Sequence, residues 1–154
     1  VLILIALLRL LRFLHQMRFE KKEDLDREKK AIRFFVNMFG GSFKKLDPND
    51  IDFKVFDKDS NLIAYVEVKG RKRMIKDSFP LPISAYKLVK LSSKRLNPVV
   101  IWACEDGIIY VKIKDVNGTI RWGGRKPRDG SCNDQELMVY FNDSEKFKKI
   151  RYVH

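Results

Sequence analysis

Between Glu20 and Phe39 the apolar side chains Leu25, Ile32, Phe35, Val36 and Phe39 return at steps of three and four or their multiples. That is the helical period, so the stretch predicts an amphipathic helix, stopped by Gly40-Gly41. The pattern then changes. "DIDFKVFD" and "LIAYVEVK" are β-rich runs separated by the turn-forming "KDSN", which predicts a strand pair on a tight connection. After a basic loop and "FPLP", helical spacing resumes from Ser84 to Leu96 through Tyr86, Leu88, Val89 and Leu91. "PVVIWACEDGIIYVKIKD" then gives a buried strand, a turn at Glu105-Asp106-Gly107 and an alternating strand. A polar loop and a further short strand, "ELMVYF", follow. The predicted order is helix, strand, strand, helix, strand, strand with β additions. With 154 residues and no internal repeat, this reads as one α/β domain.

The first fourteen residues, "VLILIALLRLLRFL", are apolar but interrupted by Arg9 and Arg12. A spanning helix needs about twenty apolar residues, so stable membrane insertion is not expected. Three readings stay open: a helix packed on the domain, a membrane-surface or signal-like segment, or a stretch upstream of the natural start. A signal peptide would carry its basic residues before its apolar run. Residues 1–16 are therefore set apart as an apolar segment, and the domain is taken as 17–154.

Charge sharpens the picture. Thirty-two Lys and Arg against twenty Asp and Glu leave +12 at neutral pH, which favours a polyanionic partner. From Lys69 to Arg128 fifteen basic residues face four acidic ones, a surplus of 11, so nearly all the excess lies in that stretch. Cys104 and Cys132 stand far apart and outside any C-x-x-C pair, so neither a disulfide framework nor a four-ligand zinc site is indicated. The expected setting is the cytoplasm, at the nucleoid.

The chain holds only His15 and His154, which disfavours histidine-centred mechanisms. No G-x-S-x-G, GxxxxGK[ST] or G-x-G-x-x-G signature is present, so serine hydrolase, P-loop and dinucleotide readings lack local support. In "AYVEVKGRKR", Glu67 and Lys69 project from one face of a predicted strand, with Val66 and Val68 on the other. On the preceding strand Asp52 shares a face with Lys54 and Asp50. Strand pairing could bring one of the two aspartates to Glu67, and converging carboxylates suit a hard divalent ion such as Mg²⁺. Glu28, three residues after Leu25 and four before Ile32, falls on the apolar face of the first helix, where a carboxylate needs a partner.

A helix bearing Glu28, then Asp52, then "VEVK" with Glu67 and Lys69, then helix and strand, resembles the PD-(D/E)XK nuclease superfamily over roughly Glu20 to Val111. The resemblance implies a restriction-endonuclease-like core, a central mixed sheet flanked by helices, and Mg²⁺ (or Mn²⁺) as cofactor. It implies Asp52, Glu67 and Glu28 as catalytic metal ligands, joined by Val68, with Lys69 assisting the attacking water. Ile51, not the family's proline, precedes Asp52. Asp52 is preferred over Asp50 because it opens the apolar "DFKVF" run.

The resemblance further implies DNA as substrate, cleaved by a homing, restriction or junction-resolving enzyme, in host or phage, that works as a homo-oligomer. Arg71, Lys72 and Arg73 follow the motif and are expected on the scissile strand, and Lys87 reaches in from the second helix or lies on its surface. Arg121, Trp122, Arg125, Lys126 and Arg128 join a basic, aromatic loop suited to a groove or an exposed base, with Trp122 equally able to anchor the core. Two other classes remain in view. One is a basic nucleic-acid-binding module whose acids are structural; the other is a peripheral membrane protein.

Overall fold

The computed structural model describes residues 2–9, 22–47, 50–94, 96–124 and 135–153. The expected boundary between an apolar segment and the domain, at 16/17, lies outside them. Residues 2–9 form a short helix, α1, whose side chains are exposed. The first long helix, α2 (Lys22–Met38), buries Ala31, Ile32, Phe35 and Val36. Leu25 and Phe39, assigned to the same stripe, are exposed instead, because the sheet beneath meets only the central turns. Gly40, at φ 68°, ends the helix in a left-handed conformation that costs glycine little.

Strands β1 (Ser42–Lys45), β2 (Phe53–Phe56) and β3 (Leu62–Gly70) form an antiparallel meander. The β2–β3 turn is closed by Asp57, whose Oδ1 accepts from the backbone N–H of Asp59 and of Asn61, both at 2.9 Å. After a loop and a 3-10 turn come β4 (Leu81–Ser84) and α3 (Ala85–Ser92), capped by the Ser84 hydroxyl accepting from Lys87 N at 3.2 Å. Strand β5 (Pro98–Ala103) then pairs parallel to β3, and β6 (Gly107–Lys112) pairs antiparallel to β5. Strands β7 (Thr119–Gly124), β8 (Gln135–Phe141) and β9 (Lys148–Arg151) complete the described elements.

Two sheets result: a six-stranded mixed sheet in the order β1-β2-β3-β5-β6-β9, and a three-stranded sheet β4-β8-β7. Four strands were not anticipated as strands: β1, β4, β7 and β9. All four are edge strands, where one-sided exposure weakens the apolar alternation that marks a strand; β4 even contains Pro82, which an edge tolerates. Helix α3 is shorter than the predicted span to Leu96. Its Leu91 is fully buried, whereas Tyr86 and Val89 face solvent.

The six-stranded sheet has a core on each face. One lies under α2 and joins Ile32, Phe35 and Val36 to Val55, Val66, Val68, Val99, Ile101 and Ile108. The other joins Val100, Trp102, Ile109 and Val111 to Leu91 of α3 and to Leu81, Ile83, Val139 and Phe141 of the smaller sheet. Trp102 crosses between the sheets, its indole N–H donating to the Pro82 carbonyl at 2.8 Å. Among the described residues no helix is long and apolar enough to cross a membrane.

Candidate active site

Alternation along β3 sends Val66 and Val68 toward α2 and Glu67 and Lys69 toward α3. The β2–β3 register sets Phe53 opposite Val66, which brings Asp52, just before β2, level with Glu67. Asp52 Oδ2 accepts from the Val68 N–H at 2.8 Å. The N–H and C=O of a strand residue leave by the same edge, so the Val68 carbonyl also points where β2 has ended. Its apolar side chain is in the core, leaving that carbonyl as the only ligand Val68 could offer.

Glu67 is 2 % exposed, the only carboxylate among the buried polar side chains described. Its Oε1 lies 3.4 Å from Lys87 Nζ, while Oε2 is buried with no hydrogen-bond partner among the described residues. Burial, and next the neighbouring Asp52, push the Glu67 carboxyl up to about 7, against the pull of Lys87 and Lys69. Lys87 is held in its charged form above the ordinary lysine range. Burial works against that charge, and Glu67 and Asp52 outweigh it.

Asp50 takes a different place. Its Oδ1 accepts from its neighbour's N–H, Ile51 N, at 2.7 Å and lies 3.3 Å from Lys94 Nζ. Burial raises its pKa, but these hydrogen bonds prevail and hold the carboxyl below its usual range. Its main-chain carbonyl accepts from Lys87 Nζ at 3.3 Å. Of the two aspartates, then, Asp52 stands beside Glu67, and Asp50 braces Lys87 of α3 and Lys94 beyond its end.

Several expectations need correction. Glu28 is half-buried on α2, which packs on the Val66/Val68 face of the sheet, whereas Glu67 projects from the opposite face. Among the described residues no three His, Cys, Asp or Glu side chains gather to hold a metal, so a three-carboxylate set is not assembled. Lys87, expected either to reach in from the second helix or to lie on its surface, reaches in, onto Glu67. Its position one turn before the buried Leu91 is the sequence signal for that. Arg71 is not a free strand grip: its guanidinium donates to the Ser78 carbonyl at 3.1 and 2.8 Å and to that of Pro80 at 3.4 Å, because the loop turns these carbonyls inward.

Lys72 is exposed but lies 3.5 Å from Asp24 of α2, and Arg73 is exposed. Arg121 is exposed and stacks its guanidinium 4.1 Å from the Tyr140 ring centroid. Trp122 is 73 % exposed on the edge strand β7, which removes the core-anchor reading. Arg125, Lys126 and Arg128 lie outside the described residues.

A mixed sheet whose third meander strand carries Glu-x-Lys, with an aspartate just before the preceding strand at the same level, defines a PD-(D/E)XK-type architecture. A family model described as "Phage putative PDDEXK endonuclease" matches residues 14–150. The chain belongs to that family, and so to the PD-(D/E)XK superfamily. No curated protein and no solved structure matches it.

Proposed function

We propose that this chain is a Mg²⁺-dependent endonuclease hydrolysing phosphodiester bonds of DNA through Asp52, Glu67 and Lys69. The observation that carries this reading is the Asp52–Glu67 pair itself. Two carboxylates share one level of the sheet, and one of their oxygens, Glu67 Oε2, is buried with nothing described to satisfy it. Such an atom costs stability unless something binds it. Asp52, Glu67 and the Val68 carbonyl are an all-oxygen set, which suits Mg²⁺ or Mn²⁺; Mg²⁺ takes few protein ligands and keeps water and substrate phosphate in its remaining positions.

When bound, such an ion supplies Lewis-acid polarisation of the phosphoryl group. The protein's own groups do the rest. Lys69, on the face of β3 that carries Glu67, orients the incoming water and offsets charge developing on the phosphate. Lys87 favours the ionised form of Glu67 and fixes Oε1, leaving Oε2 for the ion. Exposed Lys72, Arg73, Arg121 and Trp122 contact the DNA around the scissile bond. Because each chain carries one such site, cutting both strands calls for a homo-oligomer.

The test is nicking of supercoiled plasmid with Mg²⁺. Activity should disappear in Glu67→Ala and in Lys69→Ala while DNA binding in EDTA persists. Undiminished nicking in both variants would remove the assigned site and leave the basic binding module.

A further inference from the structure

Helix α3 exposes two apolar side chains that its own packing leaves aside. Leu91 is buried and Leu88 packs partly on the core, yet Tyr86 is 65 % and Val89 71 % exposed, side by side at a three-residue step. Tyr86 directly precedes Lys87, whose ammonium reaches Glu67. The exposed stripe is thus borne by the same helix that delivers Lys87 to Glu67.

Ring and ammonium alternate there. Lys90 Nζ lies 5.4 Å from the Tyr86 ring centroid and 3.5 Å from its hydroxyl. Lys94 Nζ lies 5.2 Å from the centroid of Tyr65, with Lys54 Nζ at 5.9 Å from the same ring. Tyr65 is two residues before Glu67 on the same face of β3. Lys94 also pairs with Asp50, the residue whose carbonyl receives Lys87. Two groups of contacts result: Tyr86 with Lys90 on α3, and Lys94 with Tyr65 and Lys54 beside Asp50.

We propose that this surface is a track for a DNA strand with unpaired bases, one base stacking on Tyr86 while Lys90, Lys94 and Lys54 follow the phosphates. The inference rests on the nuclease reading above and deepens it by naming the substrate class. In a duplex the faces of the bases are covered by their neighbours, and lysines alone suffice for the backbone. An exposed ring beside spaced ammonium groups gains affinity only from a base that is free to lie on it, and does so without regard to sequence. A single exposed aromatic is ordinary on a protein surface. This one directly precedes Lys87, the partner of the only buried carboxylate described, and its ring carries the Lys90 ammonium.

The experiment is fluorescence anisotropy in EDTA, where no turnover occurs, with labelled oligothymidylate and a labelled blunt duplex, on the full chain and on Tyr86→Ala and Tyr86→Phe. Both substitutions are at an exposed site, and thermal melts establish that each variant is folded. Tyr86→Ala should weaken oligothymidylate binding about tenfold, the size expected for one stacked base. Tyr86→Phe should bind as the unaltered chain does, and the duplex should change less than twofold. Unaltered oligothymidylate binding in Tyr86→Ala, or an equal loss on the duplex, overturns the track. Because binding is read without cleavage, this result stands apart from the plasmid assay: a chain that never nicks can retain the track, and one that nicks through Glu67 and Lys69 can lack it.

Discussion

The two faces of the six-stranded sheet are built to different ends. Under α2 the core is wholly apolar: Ala31, Ile32, Phe35 and Val36 meet Val66, Val68, Ile101 and Ile108. On the α3 side the apolar core of Trp102, Leu91 and Phe141 is bordered by every buried polar side chain among the described residues, namely Glu67, Ser78 and Ser84. Two of these are accommodated. Ser84 caps α3, and the Ser78 hydroxyl donates to the Met74 carbonyl at 2.7 Å. Glu67 is the exception, with one oxygen on Lys87 and the other unmatched. Both faces carry an apolar core, but only the α3 side gives some of that stability up, to a desolvated carboxylate.

The largest effect that separates the faces is expected from Phe35→Ala. Phe35 is nearly fully buried and makes edge contacts with Tyr110 and Phe39, at centroid distances of 5.1 Å for both. Its truncation should cost about 3–5 kcal/mol in urea denaturation, the range for large core aromatics. Nicking per folded molecule should stay the same. A proportionate loss of activity at temperatures where the variant is folded would mean that the α2 face also serves the site.

What could be read from the chain follows the same division. The strands that cross the middle of the sheet, β3, β5 and β6, announce themselves because burial on one or both faces imposes an apolar pattern. So does α2 over Ile32, Phe35 and Val36. The edge strands β1 and β9 read "SFKK" and "KKIR", which no periodicity distinguishes from a solvated loop. In the site, the shared face of Glu67 and Lys69 follows from strand alternation alone. The choice between Asp50 and Asp52 does not: both lie on one face, and it takes the β2–β3 register to set Asp52 against Glu67. For Glu28, helical spacing identifies an inward face without saying on which side of the sheet the helix lies.

A smaller effect should come from pH, and it has a definite sign. In the fold Glu67 keeps its proton up to about 7, whereas its ordinary value is 4.5. Between those values the native chain holds a proton that the unfolded chain has released, so stability without metal falls as pH rises through that window and levels off above it. At about 1.4 kcal/mol per pKa unit, the fall amounts to roughly 3–4 kcal/mol. Glu67→Gln keeps the shape and removes the ionisation. In EDTA it should be more stable than the unaltered chain at pH 8 and equal to it at pH 4.5, as read by thermal melts. Added Mg²⁺ should raise the melting temperature of the unaltered chain and leave Glu67→Gln where it was. A variant no more stable than its parent at pH 8 would deny that Glu67 is desolvated.

The finest test of the comparison is Lys87, an ammonium of α3 drawn inward to a buried carboxylate. With its side chain only 14 % exposed and 3.4 Å from Glu67, it offsets part of the cost of ionising that carboxyl. Lys87→Met keeps most of the side-chain volume and removes the charge. At pH 8 in EDTA this should lower stability by about 2 kcal/mol, below the 3–5 kcal/mol typical of breaking a fully buried pair, because Lys87 gives up its own desolvation penalty. At pH 4.5, where Glu67 is protonated, the loss should shrink. In a Glu67→Gln background it should nearly vanish, since no buried negative charge remains to be left alone. A loss that persists undiminished in the double variant would assign Lys87 to packing of α3 rather than to the electrostatics of Glu67, and the α3 face would then differ from the α2 face in its residues but not in its economy.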